Sequence, residues 1–178
     1  MIKAAIDRTD FEILKFLQNN ARLSNKELAT AVKLAPSSCH ERLKRLQTSG
    51  VLRGAHAEID LRALGISLEA LMFIELAKHE RAVVDKFLND TQSIPEVRRV
   101  FLVAGRYDLV VHVAVRDIDH LKNLAFDRFT NQPAVVRIET SIVFDSRVRH
   151  ELPLLTDAAQ VKRVVVRKRE KPKPAARR

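Results

Sequence analysis

Apolar residues near the start of the chain recur at helical intervals. Ile6, Ile13, Leu14 and Leu17 share one face, which predicts a helix over residues 7–20. The stretch SNKELATAV opens a second helix, because Ser24 and Glu27 stand at the S-x-x-E spacing of a capping box. Leu28 and Val32 are its buried positions. The three residues KLA leave room only for a corner, and Pro36 is placed to be the first residue of a third helix. Cys39, Leu43 and Leu46 form the buried stripe of that helix, and Gly50 follows its end. The stretch VLRGAHAEI then reads as a strand or a short wing.

The period changes after residue 66. SLEALMFIELAK, residues 67–78, predicts a long strand. RAVVDKFLND predicts a helix with Val83, Val84, Phe87 and Leu88 inward. EVRRVFLVA and YDLVVHVAV predict two strands joined around Gly105. DIDHLKNLAFDRF predicts a second helix, capped by Asp117 and buried through Ile118, Leu121, Ala125 and Phe129. AVVRIETSIVF supplies a fourth strand. The order βαββαβ is that of a ferredoxin-like fold, with both helices on one face of an antiparallel sheet.

The other face of that sheet should then be polar, and it is not. Ala70, Met72, Ile74 and Leu76 alternate with Leu71, Phe73, Glu75 and Ala77, so both registers are largely apolar. No further helix remains to cover the second face. A partner copy is the economical cover, so a homodimer or a larger assembly is expected.

Three helices with a short corner between the second and third form a helix-turn-helix, whose third helix enters the major groove. Projected at about 100° per residue, Ser37, Glu41, Lys44 and Thr48 lie opposite the buried stripe. Ser38 and Arg45 lie at one flank and His40 at the other. Hydroxyls near a helix start suit base edges and phosphates, and Lys44 and Arg45 suit phosphates or guanine. Arg42 projects to the core edge and is expected to pair with an acid such as Asp10. An ordinary solvated helix would show a similar mixed face.

Charge sharpens this picture. The 178 residues carry a net charge of +10, which suits a polyanionic partner. Residues 1–60 hold +3, residues 61–150 only +1, and residues 151–178 hold +6. A near-neutral middle is thus flanked by basic ends. No apolar run is long enough to span a membrane, and no signal-peptide core opens the chain, so a cytoplasmic, nucleoid-associated protein is expected. The single cysteine, Cys39, excludes an internal disulfide and a cysteine-rich zinc site. With His40 it lacks a second ligand pair, so no metal and no cofactor are expected.

The stretches IDRTDFEIL, ARLSNKELATAVKLAPSSCHERLKRLQTSGVLRG and GRYD together resemble the Lrp/AsnC family of leucine-responsive and asparagine regulators, over about residues 5–147. The resemblance implies a winged helix-turn-helix over residues 1–54 and a strand or hinge linker over 55–66. It implies a βαββαβ effector-binding and oligomerisation domain over 67–150; the basic tail over 151–178 lies outside the resemblance. It further implies binding to double-stranded DNA, an amino-acid effector held between dimers, and assembly to tetramers or octamers. For DNA it points to Ser37, Ser38, Lys44 and Arg45. For the effector it points to Leu102, Gly105, Arg106, Tyr107, Asp108, Ser141 and Val143, with Asp108 holding an α-ammonium group and the backbone near Gly105 a carboxylate. Structural roles compete at each position: strand-edge pairing with a nearby arginine for Asp108, interface packing for Tyr107, positive φ for Gly105.

Two positions depart from the family pattern. Ala35 stands where the family usually has a capping serine, and Arg106 stands where its hairpin is often acidic. The second exchange predicts a different, more acidic effector or a loss of sensing, without a change of fold. Two other functions remain beside the regulator: a sirohaem-decarboxylase-like enzyme on the same fold, and a low-specificity DNA-architectural protein. The six histidines are scattered, and no nucleophile triad or phosphate loop is present, so catalysis is not expected. The tail VKRVVVRKREKPKPAARR reads as a flexible phosphate-binding arm or as a solubilising end.

Overall fold

The computed structural model describes residues 6–78 and 80–151. It divides into two compact units. One comprises the described residues up to Ala57 together with those from Val148 onward, and the other spans Glu58–Arg147. The expected phosphate-binding arm lies, beyond Glu151, outside the described residues.

The first unit has three helices, α1 (Arg8–Asn19), α2 (Asn25–Ala31) and α3 (Pro36–Thr48). Its core is Ile13, Leu28, Ala29, Cys39 and Leu46, the inward stripes of the three helices. Reciprocal capping boxes start α1 and α2. Asp7 and Asp10 exchange backbone-to-carboxylate hydrogen bonds of 2.9 and 3.0 Å, and Ser24 and Glu27 exchange bonds of 3.2 and 2.7 Å. The corner before α3 places Lys33 at φ 56°, a left-handed conformation for a residue with a side chain. Ala35 caps α3 without a side-chain hydrogen bond, and Pro36 follows at the first helical position. Gly50, at φ 76°, ends the helix.

The expected strand or wing over 51–59 is not a strand: these residues carry neither helix nor sheet pairing. Residues of strand-like composition need a second strand to receive their backbone groups, and among the described residues this unit has none.

The second unit opens with a single 3₁₀ turn, Arg62–Leu64. It then runs β1 (Leu68–Leu76), α4 (Arg81–Gln92), β2 (Val97–Leu102), β3 (Leu109–Val115), α5 (Ile118–Ala125) and β4 (Val135–Val143). The strands lie in the order β2-β3-β1-β4, all pairs antiparallel. This is the expected ferredoxin-like arrangement. Ala70, Met72, Ile74 and Leu76 of β1 and Leu109, Val111, Val113 and Val115 of β3 pack on Phe87, Leu121, Leu124 and Phe129 from the helical layer.

The second helix differs from its expected face. Ile118 is 56% exposed, whereas Leu124, absent from the expected stripe, is buried. After Ala125 the chain widens into a π turn, Phe126–Thr130. That turn adds a residue between inward positions, so Phe129 follows Leu124 by five places and is fully buried. Leu121, Ala125 and Phe129 keep their expected inward places, so the face differs in Ile118 at the helix start and in the added Leu124.

Candidate nucleic-acid interface and effector face

In the first unit the candidate DNA residues share one exposed side of α3. Ser37, Ser38, His40, Glu41, Lys44 and Thr48 are all exposed, while Cys39 and Leu46 are buried. Thr48 turns its hydroxyl back onto the Lys44 and Arg45 carbonyl oxygens, at 2.9 and 3.1 Å. Gln47 is exposed as well. It follows the inward Leu43 by one turn, and its amide is a side chain suited to an adenine edge. Burial pushes the Cys39 thiol up, as suits a small core residue.

Four charges tie α3 to α1. Arg42 donates from one guanidinium nitrogen to Asp7 Oδ2 at 2.6 Å and to Asp10 Oδ1 at 2.9 Å. The Arg42–Asp10 pair is therefore the expected one. Arg45, placed by its spacing at a DNA-facing flank, donates a guanidinium nitrogen to Asp10 Oδ2. It follows Arg42 by three residues, the interval at which helix side chains are neighbours, so both reach the same acid. The Asp10 side chain is wholly buried, and two arginines offset its charge and that of Asp7. Burial works to raise the Asp7 carboxyl, but hydrogen bonds from Arg42 and the Asp10 backbone, with the charges of both arginines, hold it below the usual carboxylate range.

In the second unit the seven candidate effector residues do not form one cluster. Gly105 sits at φ 139°, a conformation that only glycine adopts readily. Leu102 pairs with the buried Leu109 and so lies on the helix side of the edge strand. Ser141 and Val143 pair with Leu71 and Glu69 on the opposite, open face. Asp108 is built into the sheet. Its N–H donates to the Ile74 carbonyl oxygen at 2.9 Å, and its carboxylate accepts the Leu76 N–H at 2.8 Å. It thereby satisfies a backbone donor of the central strand just beyond the last β1–β3 pair, Ile74 with Leu109, where β3 begins. Asp108 thus stands at the strand edge with its carboxylate on the backbone of β1.

Arg106 and Tyr107 turn to the open face and meet residues that the motif did not include. The Tyr107 ring packs on Phe73 at 5.6 Å between centroids, and the Arg106 guanidinium carbon lies 5.3 Å from the Tyr107 centroid. Arg106 approaches Glu139 at 3.5 Å and Arg137 approaches it at 2.8 Å. The positive charge at the second hairpin position is therefore matched within the chain. The Tyr107 hydroxyl is buried without a partner at hydrogen-bond geometry. Glu139 is still close enough to act on it: that carboxylate pushes the phenol up, and the phenol, followed by the two arginines, holds Glu139 down. Glu139 stands on the open side of β4 between Arg137 and Ser141, opposite Phe73. Nearby His112 meets Glu69 at 2.7 Å on the same face.

A separate depression of about 360 Å³ lies where the residues before β1 meet the end of β4. Glu58, Asp60, Arg62, Glu69, Asp145 and Val143 line it, so Val143 is its one member from the expected effector set. Among the described residues no group of His, Cys, Asp and Glu side chains is arranged to hold a metal ion, and no helix is long and apolar enough to cross a membrane.

Comparison with known proteins matches both units. Residues 6–53 match a winged helix-turn-helix DNA-binding model, and residues 69–153 match the Lrp/AsnC ligand binding domain. The HTH-type transcriptional regulator AldR of Mycolicibacterium smegmatis is 35% identical over 140 residues, covering 79% of this chain and 82% of that protein. The transcriptional regulator AzlB of Bacillus subtilis is 31% identical over 144 residues, covering 81% and 92%. A Neisseria meningitidis transcriptional regulator solved in complex with L-Met superimposes with a TM-score of 0.75 at 27% identity, covering 80% of this chain and 92% of that one. Escherichia coli AsnC gives a TM-score of 0.74 at 25% identity, covering 84% and 99%. With both halves matched in order and the regulators aligned across most of their length, the chain belongs to the Lrp/AsnC family of transcriptional regulators.

Proposed function

We propose that this regulator binds double-stranded DNA sequence-selectively through α3 and responds to an amino acid or related metabolite bound by its βαββαβ unit. The observation that carries the DNA reading is the division of α3. On its apolar side Cys39 and Leu46 are buried and Leu43 is partly buried, while Ser37, Ser38, His40, Glu41, Lys44 and Thr48 stand exposed together. Exposed small hydroxyls at the helix start and a lysine further along the same face are suited to phosphates and base edges. The L-Met complex of the Neisseria meningitidis regulator supports an amino acid as the effector class. The hairpin cluster of Arg106, Tyr107 and Glu139 is the proposed contact region, with Ser141 and Val143 beside it on the open face. Gly105 shapes the hairpin, Asp108 fixes it to β1, and Leu102 lies on the other side of the sheet.

Binding rather than catalysis is the proposed activity. His112 and His120 are each engaged by one carboxylate, Glu69 and Glu96, and neither adjoins a nucleophile–base pair. Two copies joined through the open sheet face would present two α3 helices to successive turns of one duplex. An effector acts on such an assembly only through its different affinity for the two arrangements.

Selection from random duplexes, followed by fluorescence anisotropy over a salt series, tests the DNA reading. The expected result is a two-fold symmetric motif with half-sites about one helical turn apart or a multiple of it. Lys44→Ala should weaken all duplexes and lower the salt slope by about 1. Absence of any enriched motif defeats sequence selectivity. For the effector, thermal shift with each of the twenty amino acids should reveal a ligand by its rise in melting temperature. Arg106→Asp should change which of them acts. Identical, flat responses from both proteins defeat the proposed contact region.

A further inference from the structure

We infer that Asp10 is a positioning residue for DNA binding: it holds Arg45 so that the outer edge of the guanidinium meets a backbone phosphate beside α3. The inference rests on the reading of α3 as the DNA-contacting helix.

Asp10 is itself immobilised. Its Oδ2 accepts the Asp7 N–H at 3.0 Å and a guanidinium nitrogen of Arg45, its Oδ1 accepts Arg42 at 2.9 Å, and the side chain has no exposed surface. Three donors thus fix the direction in which this carboxylate receives Arg45. The Arg45 side chain is 44% exposed, and among the described residues its Nε and Nη1 have no acceptor. A guanidinium is a rigid planar fork, so anchoring one nitrogen sets the direction of the remaining donors. The rotamer freedom that a free arginine loses on meeting phosphate is here already reduced before binding. Lys44, exposed at the preceding position, has the same charge and, among the described residues, no anchoring carboxylate. Arg42 does not compete for this role, because the same nitrogen serves Asp7 and Asp10 and its side chain is only 27% exposed.

The proposal reverses the sign expected from charge alone. Removing a carboxylate near a polyanion should tighten binding. If Asp10 works by aiming Arg45, Asp10→Asn should instead weaken binding, and only while Arg45 is present.

The test uses the full chain, the selected duplex and a scrambled duplex, in anisotropy titrations from low to high salt, with melting temperatures measured for every variant. Arg45→Ala should weaken both duplexes by a similar factor and lower the salt slope by about 1, as for a phosphate contact. Asp10→Asn should weaken both by about the same factor as Arg45→Ala. In the Arg45→Ala background, Asp10→Asn should cause no further weakening. Tighter binding by Asp10→Asn alone overturns the inference, and so does an equal weakening in both backgrounds. Arg45→Lys covers the case in which Asp10→Asn does not fold: it keeps the charge but replaces the fork by a single nitrogen. Affinity falling towards that of Arg45→Ala supports the inference, and affinity equal to the parent overturns it. Failure of the parent chain to bind any duplex would instead defeat the α3 reading itself.

Discussion

At the scale of single residues, the polar groups at helix ends decide more than their number suggests. α1 and α2 begin with capping boxes, whereas α3 begins at Ala35 with no side-chain cap. Ala35→Ser should stabilise the first unit by about 0.5–2 kcal/mol, read as a raised denaturation midpoint in urea. No change would mean that another group already satisfies those helix-start amides. Asp7 carries a pH dependence of definite sign. Its carboxyl lies below the usual range, so its contribution is fully present above an unfolded carboxylate pKa of about 3.9 and is lost as pH falls through the lower folded value. Denaturation of the parent and of Asp7→Asn should therefore differ at neutral pH and converge in acid. A gap that stays constant to low pH would contradict the ionic role. The Arg42–Asp10 pair was legible in the sequence because an arginine at the core edge needs an acid. The Arg45–Asp10 contact was not, because an exposed flank gives no hint that a buried acid lies within reach.

At the scale of elements, the hairpin between β2 and β3 is fixed by two residues with separate tasks. A Cβ added to Gly105 would meet no neighbouring atom within 4 Å, so space is not what requires glycine there. The backbone angle, φ 139°, is. Gly105→Ala should cost about 1–3 kcal/mol by thermal denaturation, despite the open surroundings. A neutral result would show that the hairpin relaxes to another conformation. Asp108 then anchors the same hairpin through the Leu76 N–H. Helix and strand order was readable from the change of hydrophobic period. Two local features were not. The π turn at Phe126–Thr130 lets Leu124 and Phe129, five residues apart, both face inward, and residues 51–59 have strand-like composition but no partner strand.

At the scale of the whole molecule, the open sheet face is the feature that a single copy leaves unexplained. Leu71 and Phe73 of β1 lie beside Val110 and His112 of β3 and are only half-buried. A second copy over this face is the proposed cover. Phe73→Asp should shift the mass measured by light scattering from oligomer to monomer while the far-ultraviolet circular dichroism is kept. A parent chain that is itself monomeric would rule that cover out. Hydrophobic period and capping signals were enough to set the helix-turn-helix and the βαββαβ order, because each depends on residues close together in the chain, and the family was legible through the resemblance of whole stretches such as ARLSNKELATAVKLAPSSCHERLKRLQTSGVLRG. Partnerships across the fold were settled only by tertiary structure. The motif placed Arg106, Tyr107 and Asp108 in one candidate site; the sheet sends Asp108 to the backbone of β1, turns Arg106 and Tyr107 towards Glu139, and leaves Leu102 on the other face. Sequence spacing records which residues share a hairpin. The side of the sheet on which each side chain stands, and the distant charge it meets, depend on strand register and on packing between elements remote in the chain.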